Sequence, residues 1–98
     1  MKKFITWFCC MCLMLMMTSS SKVTTIFVIG DSTAAEKSNP QKNPERGWGM
    51  VLQGCFDEKI IVDNHAVNGR SSKSFIDEGR WQNVLDKIKP GDYVFIQF

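Results

Sequence analysis

Val23-Thr24-Thr25-Ile26-Phe27-Val28-Ile29-Gly30-Asp31-Ser32-Thr33 is the most telling stretch of this chain. From Val23 to Ile29 every residue is β-branched or aromatic, and the run stops at Gly30. A short, nearly continuous apolar run of this kind suits a strand buried on both faces, the kind a parallel sheet covered by helices requires. The residues just past Gly30 are small and polar, so Ser32 to Glu36 is read as the possible start of a helix.

Further along, Lys37 to Arg46 carries Pro40, Pro44 and polar residues and is read as a loop. Trp48, Val51, Leu52 and Cys55 fall at helical spacing and predict a short amphipathic helix over 48–56. Ile60 to Val67 is a second strand, interrupted by Asp63, Asn64 and His65. After the loop Asn68-Gly69-Arg70-Ser71-Ser72, with Ser72 or Ser74 as a cap, Phe75 to Ile88 predicts one or two helical segments broken at Gly79. Pro90-Gly91 marks a turn, and Tyr93 to Phe98 reads as a third, buried strand. The order β-α-β-α-β favours an α/β fold with a parallel sheet and helical crossovers. No turn comes after the third strand, so the chain reads as truncated.

The first residues belong to a different class. Met1-Lys2-Lys3 is basic, Phe4 to Met17 is uncharged, and Thr18 to Ser21 is small and polar. That succession predicts a secretory signal peptide over residues 1–21, with cleavage between Thr18 and Lys22 and a secreted or periplasmic product. The apolar run is shorter than the ~20 residues of a membrane-spanning helix, so no stable span is expected after cleavage. Cys9, Cys10 and Cys12 would leave with the leader. Cys55 would remain without a disulfide partner, and a lone cysteine is read as a small buried apolar residue rather than a nucleophile. The net charge of +2 over 98 residues owes much to Lys2 and Lys3. No basic cluster points to nucleic acid.

In open α/β sheets, ligands bind at the carboxyl ends of the strands. Gly30-Asp31-Ser32-Thr33 and Asn68-Gly69-Arg70-Ser71-Ser72 would both lie on that rim. A serine just past a strand and at a helix start has free backbone N–H groups beside it that can stabilise an oxyanion. Gly30 would permit a sharp turn and close access. Asp31 and Ser32 are also ordinary N-cap residue types, and Gly-Asp-Ser alone favours that plainer reading. Gly69 is equally readable as a close-approaching backbone donor or as a loop glycine. Competing motifs fail on spacing: there is no Walker A loop, no third glycine after Gly47-Trp48-Gly49, and no Gly-x-Ser-x-Gly elbow.

Ile29-Gly30-Asp31-Ser32-Thr33 resembles the first block of SGNH/GDSL hydrolases. Asn64 to Phe75 resembles the second block of their rhamnogalacturonan acetylesterase branch, as do Gly47-Trp48-Gly49, Phe75 to Trp81 and Lys89 to Phe98. The resemblance covers nearly all of residues 22–98, and it implies a three-layer α/β/α, flavodoxin-like fold of which these residues are the N-terminal part, with the first three strands. It also implies a secreted serine esterase that removes acetyl groups from a pectic polysaccharide without a metal or organic cofactor. Ser32 would be the nucleophile, the Ser32 and Gly69 N–H groups would be oxyanion donors, and Asp31 would order the loop. The family's Gly-x-Asn-Asp and Asp-x-x-His blocks do not occur in this sequence. The general base and its acid are therefore expected outside these residues, and the chain by itself is expected to be inactive. His65 reads as structural rather than as a replacement base. Two alternatives stand beside this reading. One is a lipase or acylhydrolase acting on other esters. The other is a non-catalytic carbohydrate-binding module that uses Trp48 and Trp81, although at their spacing both tryptophans are expected in the core.

Overall fold

The computed structural model describes residues 22–98, and the expected signal peptide at residues 1–21 lies outside them. Three strands form one parallel sheet: β1 (Thr24–Gly30), β2 (Ile60–Asn64) and β3 (Tyr93–Gln97), in the order β2-β1-β3. Between β1 and β2 the chain makes a short helix α1 (Trp48–Val51) that tightens into a 3₁₀ turn over Leu52–Cys55. Between β2 and β3 it makes α2 (Ser72–Asp77) and α3 (Arg80–Leu85), separated by Gly79 at φ +77°. The structure is thus the α/β arrangement expected from the strand and helix order.

β1 is the centre of the sheet, and this explains its unbroken apolar run. Ile26 and Val28 face one layer, where Ala34, Ala35 and Ala66 are buried and Trp48, Leu52 and Phe56 pack. Phe27 and Ile29 face the other, with Phe75, Val84, Trp81 and Ile88. Burying side chains of this size stabilises by roughly 1.5–3 kcal/mol each, so β1 anchors both layers. The two tryptophans pack on these clusters half-buried rather than fully enclosed.

Several expectations need correction. Residues 32–34 form a turn, and no helix follows over 35–36. The Thr33 and Ala34 carbonyls accept from the Trp48 and Gly49 N–H groups at 3.0 Å each, so they are not available to helical partners further along the chain. The amphipathic helix over 48–56 is only one turn long before the 3₁₀ segment, whose tighter winding breaks the 3.6-residue face. Val51 and Cys55 consequently lie exposed, which overturns the buried reading of Cys55. β2 ends at Asn64, although the His65 and Val67 N–H groups still donate to Val28 and Gly30 carbonyls at 2.8 and 3.1 Å. The cap of α2 is Ser71, whose side chain accepts from Ser74 N at 3.1 Å while Ser74 Oγ accepts from Ser71 N at 2.9 Å. β3 is largely exposed rather than buried: among the described residues it is one of the two outer strands, and no other element covers it as Gln53 covers β2.

Candidate active site

The carboxyl ends of β1 and β2 bring the two motif loops together on one rim. After Gly30 the chain turns over Asp31, whose carbonyl accepts from both Ala34 N (3.1 Å) and Ala35 N (3.0 Å). Its carboxylate accepts from Thr33 N at 3.1 Å. Ala34 and Ala35 are buried beneath the turn, so Ser32 and Thr33 ride exposed on top of it. Gly30 is required for a different reason than expected. Its φ is not positive; instead, a Cβ there would collide with the Gln97 carbonyl of the adjacent β3.

The turn is held from below. Besides the bonds from Trp48 and Gly49, Asn64 Nδ2 at the end of β2 donates to Ala34 O at 2.9 Å. A Cβ on Gly49 would lie 2.5 Å from both Ala34 O and Asn64 Nδ2, so only glycine fits. Trp48 also donates its indole N–H to the Gln97 side chain. The Gly47-Trp48-Gly49 stretch thus acts as the seat of the Ser32 turn.

The second loop lies alongside. Gly69 is exposed, at φ +73°, and nothing lies within 4 Å of where its Cβ would be. Lys37 connects the loops: its ammonium donates to the Ser32 carbonyl and, at 3.2 Å, to Asn68 Oδ1. Arg70 Nη1 donates to the Asn68 carbonyl at 3.0 Å. Arg70 Nε donates to Glu78 Oε1 at 3.1 Å, and Arg80 Nε reaches the same oxygen at 2.7 Å. Those two guanidinium groups, Arg80 first, hold the Glu78 carboxyl below its usual range. Among the described residues, neither the Ser32 nor the Gly69 N–H donates a hydrogen bond.

His65 is turned elsewhere. Its ring stands 6.0 Å from that of Phe27, and Nε2 lies 2.9 Å from Asp63 Oδ2. Despite that proximity, Nε2 has no hydrogen-bond partner among the described residues. A concavity of about 860 Å³ opens at the opposite ends of the strands between Thr24, Asp63 and Asp92, and neither Ser32 nor Gly69 lines it. Among the described residues no group of three or more His, Cys, Asp or Glu side chains is placed to hold a metal ion. None of their helices is long and apolar enough to cross a membrane. Composition and periodicity carried no sign of the parts played by Lys37, Asn64, Arg70 and Glu78. Their partners are remote in sequence or joined only by folding; the one local hint was the proximity of Arg70 to Gly69.

No family model matches the chain. It is 43% identical over 77 residues to the rhamnogalacturonan acetylesterase RhgT of Bacillus subtilis (strain 168), covering 79% of this chain and 33% of that one. It is 38% identical over 79 residues to a rhamnogalacturonan acetylesterase of Emericella nidulans, covering 81% of this chain and 29% of that one. The crystal structure of YxiM from Bacillus subtilis superposes with a TM-score of 0.71 at 33% identity, over 80% of this chain and 22% of that one. The chain therefore spans about a third of the length of the curated acetylesterases it matches. Sequence likeness to several such enzymes and the matching parallel-sheet fold agree: the chain is a homologue of rhamnogalacturonan acetylesterases of the SGNH family over about a third of their length.

Proposed function

We propose that the complete protein carrying this chain is an exported serine esterase that removes acetyl groups from a pectic polysaccharide of the rhamnogalacturonan type. The observation that carries the reading is the exposed Ser32 turn, tied through Lys37 to the loop bearing Gly69. Both loops have backbone N–H groups without acceptors among the described residues, which suits them to meet a developing oxyanion. Acetylesterase relatives with the stated identities supply the substrate class.

In this mechanism Ser32 Oγ attacks the acetyl carbonyl, and a base takes its proton. The carbonyl oxygen becomes an oxyanion facing the Ser32 and Gly69 N–H groups. Collapse expels the sugar oxygen, which takes up the proton, and leaves an acetyl-Ser32 ester. Water then attacks this ester and releases acetate. His65, the single histidine in the sequence, is engaged with Asp63 and Phe27. The base is accordingly proposed to come from outside these residues, and the 98-residue chain alone is proposed to be inactive.

Acetate release from acetylated rhamnogalacturonan by the complete polypeptide tests this. Ser32→Ala is expected to lower kcat by at least ~10³-fold, given costs up to ~10⁶ for a serine nucleophile. Turnover unaffected by that substitution, or confined to long-chain esters, would sink the proposal. Export is proposed to remove residues 1–21, and N-terminal sequencing of the exported protein is expected to begin between Thr18 and Lys22. An intact Met1 there would refute it.

A further inference from the structure

We propose that Arg70 and Lys37 are positioning residues that aim the Gly69 N–H at the carbonyl oxygen of an ester held at Ser32; this rests on the esterase reading above. A peptide group is a rigid plane, so a carbonyl and the N–H of the next residue point in opposite directions. The Asn68 carbonyl and the Gly69 N–H share one such plane. Fixing the carbonyl therefore fixes the direction of the donor.

Arg70 does this by folding its side chain back, so that Nη1 donates to Asn68 O at 3.0 Å. It is held in that pose by Glu78, which accepts from Arg70 Nε at 3.1 Å and is itself gripped by Arg80 Nε at 2.7 Å. From the other side Lys37 donates to Asn68 Oδ1 at 3.2 Å and to the Ser32 carbonyl. The Asn68–Gly69 plane is thus tethered through its carbonyl, and the Asn68 side chain is tied to the nucleophile's own backbone.

The position needs such tethers. The backbone ladder between the two loops ends with Val67 N donating to Gly30 O. Gly69 has no side chain to pack, stands at φ +73° and meets nothing within 4 Å, so it gives its own peptide little support. Among the described residues no hydrogen bond joins Arg70 or Lys37 to the Ser32 hydroxyl. Arg70 acts through the Asn68–Gly69 peptide plane, and Lys37 acts through the Asn68 side chain and the Ser32 carbonyl.

The test compares the complete polypeptide carrying this chain with its Arg70→Lys, Lys37→Met and Lys37→Arg variants. The readouts are kcat and KM on 4-nitrophenyl acetate, the melting temperature, and labelling of Ser32 by a fluorophosphonate. A lysine at 70 keeps the charge but lacks the fork that grips Asn68 O and Glu78 together. For Arg70→Lys and Lys37→Met, kcat is expected to fall ~10- to ~100-fold, as for a misplaced catalytic group. KM should stay within about twofold, the sign of an interaction made only in the transition state. Lys37→Arg should recover most of the lost rate. Melting temperatures should change little, since surface ion pairs such as Arg70–Glu78 add little stability and surface substitutions such as those at Lys37 rarely change it much. Unchanged kcat, a rise in KM alone, or a rate loss that simply tracks the melting temperature overturns the positioning role. A wild-type protein that neither cleaves the ester nor labels at Ser32 removes the esterase reading itself, whereas an active enzyme indifferent to these substitutions removes only the role proposed here.

Discussion

Glycines in this chain look alike in sequence and do unlike things in space. Gly49 carries the N–H that donates to the Ala34 carbonyl, and a Cβ there would sit 2.5 Å from that oxygen and from Asn64 Nδ2. Neither neighbour can retreat without breaking the seat of the Ser32 turn. Gly49→Ala is therefore expected to destabilise by about 1–3 kcal/mol, the usual range for forced overpacking. Gly54, with nothing within 4 Å and no positive φ, should tolerate alanine within about 0.5 kcal/mol. Chemical denaturation of the two variants checks the contrast, and equal effects would refute it. The motif residues Gly30, Asp31, Ser32 and Gly69 were legible from their resemblance to a family. The physical need for glycine at 30 was not, because it arises from a carbonyl that lies 67 residues further along the chain, at Gln97.

Among the strands and helices, the joints carry more information than the elements they connect. Asp92 stands in the turn before β3, where Oδ1 accepts from Thr25 N at the start of β1 and Oδ2 from Lys89 N, both at 2.9 Å. These two backbone donors, Thr25 first, lower its carboxyl below the ordinary 3.8. A depressed native value means that the folded state holds the ionised form more strongly than the unfolded chain does. The stabilisation is present above the ordinary aspartate range and is lost as pH falls through the native value. Melting temperature is thus expected to be flat above about pH 5 and to drop in acid. Asp92→Asn should lower it at neutral pH and flatten the acid limb; an unchanged acid limb would refute the assignment. The Pro90-Gly91 turn was legible, but the pairing of Asp92 with β1 was not, since nothing local requires a partner 67 residues away.

Across the whole molecule, the two sides of the sheet are finished differently. Beside β2, Gln53 supplies both a donor to Ile60 O (2.8 Å) and an acceptor for Val62 N (2.7 Å), so the outward backbone of that strand is satisfied at these two groups. β3 has no comparable cover among the described residues, and Tyr93, Phe95, Ile96 and Phe98 lie exposed. An apolar, unpaired strand of this kind templates association. Residues 22–98 produced alone are expected to scatter light at micromolar concentration. Ile96→Lys, at a residue 62% exposed, should reduce that scattering without loss of secondary structure by circular dichroism. Clear solutions of the unsubstituted chain would count against the edge as a liability.

The amino-acid order alone settled the existence and succession of the three strands, the break at Gly79 and the two loops of chemical interest. Apolar runs, turn residues and motif wording are local properties, and they survive without knowledge of the fold. Tertiary structure decided whether the residues after Gly30 would wind into a helix, since the Thr33 and Ala34 carbonyls are taken by Trp48, Gly49 and Asn64 instead of by helical partners. It also decided which side chains brace the rim. Lys37 acts only because folding brings separate loops within hydrogen-bond distance, and the nearer bonds of Arg70 to Asn68 and Glu78 depend on how the loop before α2 and the end of that helix are folded, which no spacing along the chain encodes.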